Sequence, residues 1–422
     1  MTDPAKPTLS QALRDPRMTA ILLLGFASGL PFNLTGSTLQ AWLADSGLDI
    51  KTIGIFGLVG APYIAKVLWA PLLDRYLPPI LGRRRGWIVI YQVLLAVFIF
   101  LMGQTSPSRT PQLVGVIALC IAFLSASQDI VIDAYRVDVV PPQERALAAA
   151  ATAFGYRTAA MLAGAFALIL AHHFGWAWAY GLVAVLMAST LFATFWAPEP
   201  VVPDRPPRTL AEAVVEPFRD LLRHKGAWGF LLLLLTYKFG DAFALSLYSA
   251  FMIKGMGFSL DELGIFGKVN MTVSTMVGTA LGGWLYLRWG LFRSMLTFGI
   301  LQAATNLLYM ALALSGKILW LMALATSVDN LAGGMGAAAF TAFVMAQCNV
   351  NFSATQYALL SALASIPRVI IGPIAGFTVA RVGWANFFVV TFLTAMPGLA
   401  LLVGLRGDIR ALEARDRERL KA

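Results

Sequence analysis

"GLDIKTIGIFG" (Gly47–Gly57) returns 210 residues later as "GFSLDELGIFG" (Gly257–Gly267). The displacement is about half of a 422-residue chain. Two further features keep the same register. Arg157 has a counterpart in Arg368, 211 residues on, and "DRYLPPILGRRRG" (Asp74–Gly86) has a degenerate partner in "LRWGLFR" (Leu287–Arg293). One four-residue match carries little. Three matches in register across half the chain point to an internal duplication.

Composition says what was duplicated. Hydrophobic residues make up 58% of the chain and charged residues 13%, with a mean hydropathy of +0.72. A soluble domain is about 45–50% apolar and about 25% charged. The chain therefore reads as an all-α polytopic membrane protein. A span needs about 20 mostly apolar residues. Twelve such runs occur, at 18–43, 52–73, 86–104, 112–138, 143–171, 176–197, 228–253, 260–287, 293–314, 317–346, 355–380 and 384–405. The first run continues into a full span and is not read as a cleavable signal. The expected organisation is a tail (1–17), a six-helix bundle (18–197), a linker (198–227), a second six-helix bundle (228–405) and a charged tail (406–422). Within the linker, Leu210, Val214, Phe218, Leu221 and Leu222 recur at helical intervals, as in a helix lying on the membrane surface.

Lys and Arg set the orientation, because they concentrate in cytoplasmic loops. The N-terminal tail, the even-numbered connections and the C-terminal tail hold most of them. The odd-numbered connections hold only Lys51, Arg109, Lys254, Lys317 and Arg381. Both termini are therefore expected in the cytoplasm. The same asymmetry accounts for the net charge of +10 without any nucleic-acid partner. Cys120 and Cys348 have no disulfide or metal-site spacing. His172 and His173 fall in a short outer loop and His224 in the linker, so no histidine meets an intramembrane nucleophile. No metal site, cofactor or enzyme is expected.

Charges inside the spans carry the functional reading. Each costs about 2.5–3.5 kcal/mol at the bilayer centre and needs a partner, a water-filled cavity or a use. Those well inside the spans are Lys66, Asp129, Asp133, Arg157, Lys238, Asp241, Lys268, Asp329 and Arg368. Spans 3, 6, 9 and 12 hold none in their interiors. Six plus six helices in parallel repeat is the plan of the major facilitator superfamily, in which those four spans face lipid and the other eight surround a central cavity. The expected substrate shell is Lys66, Arg157, Lys238, Asp241, Lys268, Asp329 and Arg368. Gln128, Asn270 and Asn330 join it as buried amides in need of partners, and Tyr63 and Tyr237 as surfaces for a sugar ring. Five cations against four anions suit a polar substrate bearing carboxylates. The alternative is that these groups pair among themselves, as Lys238 and Asp241 can at a spacing of i, i+3.

Asp129 and Asp133 are spaced i, i+4 and share one face of the fourth span. Two carboxylates so close in a low-dielectric cavity resist ionising together. The pair is therefore the candidate for proton coupling, driven by the proton gradient. Its bland alternative is two ion pairs, Asp133 with Arg136 and Asp129 with Lys66. Asp74, Arg75, Arg83 and Arg84, facing Arg136 and Asp138, read as a cytoplasmic gating latch.

The chain also resembles the AmpG-type muropeptide permeases of the major facilitator superfamily. The resemblance rests on "GFASGLPFNLTGSTLQAWL", "PYIAKVLWAPLLDRYLPPILGRRRGW", "SQDIVIDAYRVDVVPPQERA", "GYRTAAML", "TYKFGDAFA", "DNLAGGMGAAAFTAFVMAQCN" and "ATQYALLSALASIPRVIIGPIAG". These stretches cover most of the chain. The resemblance implies import of N-acetylglucosaminyl-1,6-anhydro-N-acetylmuramic acid and its peptides across the bacterial inner membrane, from periplasm to cytoplasm, with protons. It implies a monomeric carrier serving peptidoglycan recycling and, through cytoplasmic muropeptides, β-lactamase induction. Asp129 and Asp133 match the family's "QD…D" positions, and Lys238 and Asp241 its "YKxGDA" motif. A carrier of another anion, such as an acyl-CoA or a sugar acid, is the alternative.

Overall fold

The computed structural model describes residues 15–76, 78–79, 81–140, 145–198, 219, 226–347 and 353–419. Every regular element among them is helical. The expected surface helix of the linker lies outside the described residues, apart from the single residue Arg219.

Nine helices among the described residues are long and apolar enough to cross a membrane. This is fewer than the twelve runs read from the sequence, for two physical reasons. The first is that two pairs of runs are joined. Leu260–Ser315 and Leu359–Gly404 extend over 56 and 46 residues, about twice a bilayer span. Each is interrupted at one glycine, Gly290 with φ +76° and Gly383 with φ +75°, a left-handed backbone that only glycine takes without strain. The second reason is that the run at 52–73 is broken. It consists of Ile50–Ile55, Phe56–Gly60, Ala61–Ala65, Lys66–Leu68 and Ala70–Arg75, alternating α-helical and tighter turns. Gly54, Gly57, Gly60, Pro62 and Pro71 fall along it, and each weakens or removes helical hydrogen bonding.

The repeated stretches both begin helices. Asp49 caps Ile50–Ile55, accepting from the backbone N–H of Lys51 and Thr52 at 3.0 Å each. Ser259, at the matching position of the repeat, caps Leu260–Glu262 in a capping box with Glu262. The Thr52 hydroxyl, which also donates to Asp49, holds that exposed carboxyl below its ordinary range.

Contacts divide the chain into two units, one of Met1–Trp42 and Val59–Pro206, the other of Leu43–Leu58 and Pro207–Ala422. In the first unit, Pro16–Asn33 packs on Arg145–Met161 through small residues. A Cβ added to Gly155 would lie 2.1 Å from the Leu22 carbonyl oxygen, so the backbones meet only because the side chain is absent. Pro31 withholds an N–H, and the helix loosens into a wide turn at Leu34–Thr38. Thr38 there donates to the Ala163 carbonyl at 2.7 Å, inside a second wide turn at Leu162–Phe166.

In the second unit, Asn270–Ser315 and Leu319–Ala346 approach as closely, at Gly278 against Leu331 and Gly334 against Thr275. Leu43–Leu58 belongs to this unit although its sequence precedes the second bundle. Gly54 explains the assignment, since a Cβ on it would sit 2.6 Å from the Gly372 carbonyl oxygen. Lys51 lies 5.6 Å from the Phe377 ring centre, and Lys254 donates to the carbonyls of Gly47 and Leu48.

Large apolar side chains such as Phe192, Leu287 and Trp228 stand exposed on the helices. In water so much exposed apolar surface would drive aggregation; a bilayer removes that cost.

Candidate functional site

In the first unit, helix Pro111–Val139 displays Gln128, Asp129, Asp133, Arg136 and Asp138. Asp129 is partly buried and accepts a hydrogen bond from the Ser28 hydroxyl. Lys66, on the short turn Lys66–Leu68, is within electrostatic reach of Asp129, yet no ion pair within 4 Å joins them among the described residues. Asp133, one turn further along, is exposed and pairs with Arg136 at 3.1 Å. The two aspartates thus share a face but not an environment.

Gln128 is fully buried, and neither its side-chain oxygen nor its nitrogen meets a hydrogen-bond partner among the described residues. Tyr63 packs edge-on against Phe32 with ring centres 5.1 Å apart. Arg157 is partly buried and makes no ion pair among the described residues. Nearby, Trp69 donates from Nε1 to the Ser127 hydroxyl at 2.9 Å.

At the basic loop, Arg84 donates from Nε to Asp138 at 2.7 Å, with the arginine side chain almost wholly buried. Arg85 donates to the carbonyls of Thr194 at 2.9 Å and Phe195 at 2.7 Å. Those carbonyls belong to the last turn of Trp176–Trp196, where a cation is favoured by the helix dipole. The sequence reading left Arg85 out of the latch; a basic residue opening one helix beside the end of another is the signal that finds it. Arg83 is partly buried at the start of Arg83–Gly103. The side chains of Asp74 and Arg75 lie outside the described residues.

The second unit holds a cavity of about 550 Å³, lined among others by Lys238, Asp241, Gln302, Asp329, Asn330 and Arg368. Lys238 sits at a break in the chain between Ala227–Thr236 and Phe239–Leu245. The break turns its ammonium toward the Gln302 side-chain oxygen, 3.0 Å away, with Asp241 at 3.9 Å. Asp329 is buried; Thr305 lies 2.7 Å and Tyr309 3.2 Å from its two carboxyl oxygens. Asn330 donates to the Thr326 carbonyl at 2.8 Å. Arg368 lines the cavity without an ion pair among the described residues.

Three expected substrate residues of this unit have other engagements. Asn270 donates to the Ala323 carbonyl at 3.0 Å and to Ser327 at 2.8 Å, tying its helix to Leu319–Ala346. Tyr237 donates to the Met295 carbonyl at 2.7 Å and stacks on Phe340. Lys268 is buried with its ammonium 5.2 Å from the centre of the Tyr248 ring. None of the three lines the cavity.

Gln302, Thr305, Asn306 and Tyr309, all buried, were not singled out in the sequence. They lie on the ninth run, whose interior carries no charge. Their spacing of i, i+3, i+4, i+7 is a polar stripe on one helix face and is the signal that finds them.

Apolar helices around a cavity lined by charges of both signs fit a polytopic solute carrier. The profile of the Major Facilitator Superfamily matches residues 21–371. The chain is 47% identical over 411 residues to the anhydromuropeptide permease of Escherichia coli K12, covering 96% of this chain and 84% of the relative. It is 35% identical to an uncharacterized protein of Haemophilus influenzae, covering 94% of this chain and 96% of the relative. Its fold matches a peptide transporter POT in complex with sulfate, with a TM-score of 0.72 at 12% identity over 97% of each chain. It also matches a bacterial homologue of the human lysosomal transporter Spinster, with a TM-score of 0.69 at 15% identity over 96% of this chain and 98% of that one. The chain belongs to the major facilitator superfamily, in its AmpG-type branch. It is a membrane transporter and not an enzyme.

Proposed function

We propose that this protein imports N-acetylglucosaminyl-1,6-anhydro-N-acetylmuramic acid and its peptides across the bacterial inner membrane, coupled to inward proton flow. The observation that carries the reading is the cavity of the second unit, where Lys238 and Arg368 stand beside the amides of Gln302 and Asn330. The substrate has matching chemistry, a carboxylate on its anhydro-sugar and amide and hydroxyl groups around two rings. The identity to the E. coli permease, spread over 96% of the chain, supports the same substrate class.

In this reading Lys238 and Arg368 bind the carboxylates, and the amides orient the sugars. Asp129 carries the proton in the first unit. It is partly buried, bonded to a hydroxyl and without a cation at ion-pair distance among the described residues. Such a carboxyl can take up and release a proton without breaking a salt bridge. Asp133, held by Arg136, is the lesser candidate. Alternating exposure of the cavity to the two sides then moves substrate and proton together.

The test is uptake of the labelled disaccharide by purified protein in proteoliposomes with an imposed pH gradient, inside alkaline. Accumulation above the outside concentration, abolished by a protonophore, is expected. Uptake that merely equilibrates, whatever the gradient, would remove the proton-coupled reading.

A further inference from the structure

Thr305 has one hydroxyl hydrogen and two oxygen neighbours that compete for it. Its Oγ1 lies 2.6 Å from the Gln302 backbone carbonyl and 2.7 Å from Oδ1 of Asp329. A carbonyl oxygen only accepts, and a hydroxyl donates once. If Thr305 donates to Gln302, the short contact to Asp329 needs a hydrogen on the carboxyl. If Thr305 donates to Asp329, the contact needs no hydrogen on the carboxyl, which is then free to be ionised, and the Gln302 carbonyl keeps its ordinary place in the helix. The same heavy-atom positions thus accept two proton inventories.

The surroundings leave that choice open to the substrate. Asp329 is 3% exposed, and no cation pairs with it within 4 Å among the described residues. The titratable and charged groups around it come from every neighbouring element. They are Lys238, Asp241 and Tyr248 on 227–255, Tyr309 on Asn270–Ser315, and Arg368 on Ser353–Gly404. Lys238 is a cation whose charge reaches Asp329, and it is held on the Gln302 side chain. Gln302 therefore meets Lys238 with its side chain and Thr305 with its backbone. A substrate carboxylate that engages Lys238 draws that positive charge away from Asp329. The ionised carboxyl then loses compensation, in a site from which burial already disfavours charge.

We propose that Asp329 is a proton-binding site of this transporter, loaded when the anionic substrate engages Lys238, with Thr305 as the hydroxyl that accommodates both protonation states. The proton comes from cavity water on the outer side and returns to water on the inner side; no covalent bond of the substrate changes. The inference rests on the proton-coupled reading above and adds a coupling group in the second unit.

The test compares wild type with Asp329→Asn in proteoliposomes, using the labelled disaccharide as probe. An asparagine keeps an acceptor for Tyr309 and gives a fixed donor toward Thr305, so it imitates the protonated form. The expected result is loss of accumulation under the pH gradient, with substrate counterflow, which needs no net proton movement, falling far less. Accumulation by Asp329→Asn equal to wild type would overturn the proposal. Failure of wild type itself to accumulate would instead remove the proton-coupled reading. Should Asp329→Asn not reach the membrane, Thr305→Val is decisive. Loss of one of two hydroxyl donors should move the midpoint of the uptake–pH profile upward, and an unmoved profile overturns the proposal.

Discussion

Arg84 and Asp138 meet at 2.7 Å, with the guanidinium almost fully enclosed by the first unit. A buried cation whose carboxylate partner is neutralised keeps its desolvation cost and loses part of its compensation. Asp138→Asn should therefore lower thermal stability in detergent by about 2 kcal/mol, the worth of a charge-assisted hydrogen bond. Arg84→Ala should lower it less, because the carboxylate left behind is better hydrated. Equal losses in both variants would mean that the pair acts through packing alone.

In the proposed mechanism, the different environments of Asp129 and Asp133 separate their roles. Asp129→Asn should abolish proton-driven accumulation. Asp133→Asn should leave most of it, since an exposed ion pair contributes about 0–1 kcal/mol. Uptake assays on the two variants side by side check the order, and the reverse order would return the coupling role to Asp133.

Lys238 and Arg368 line one cavity and are its cationic side chains among the described residues. Lys238→Ala or Arg368→Ala should weaken disaccharide binding at least about tenfold, corresponding to ~1.4 kcal/mol. Calorimetry on purified protein measures it. Lys268→Ala should affect affinity less, because Lys268 packs on Tyr248 outside the cavity lining.

Asp49 offers a test outside the bilayer. Asp49→Ala removes the cap of Ile50–Ile55 and should cost about 1 kcal/mol. The carboxyl is held below its ordinary value of 3.8, chiefly by the Thr52 hydroxyl. Its contribution is thus fully present above that ordinary value and is lost as pH falls through the lower, folded one. Melting curves of wild type and Asp49→Ala should converge in strong acid and diverge near neutrality.

Gly155 meets the Leu22 carbonyl where no Cβ fits. Gly155→Leu should force the two helices apart, at about 1–3 kcal/mol or more for overpacking. Loss of folded protein in size-exclusion profiles would register it, while an unchanged profile would show that the contact yields.

Much of this architecture is legible in the chain itself. Hydropathy and the 210-residue repeat announce a duplicated helical membrane protein, and the repeat carries its helix caps with it at Asp49 and Ser259. The intramembrane charges are visible for the same reason, because one lysine in an apolar run is conspicuous without any neighbour being known. Gly290 and Gly383 mark turns that hydropathy also finds, since backbone conformation at glycine is a local property.

Partnership is not local, and there the tertiary structure decided. It set Asp133 on Arg136 and Asp129 on Ser28, although both aspartates share one helix face. It broke the chain at Lys238 and aimed the ammonium at Gln302, and it gathered Gln302, Thr305 and Tyr309 from a run with no charge in its interior. Composition and periodicity reveal which side chains must avoid lipid. Which oxygen shares a hydrogen with which depends on contacts of a few ångströms between distant segments, and only packing brings those together.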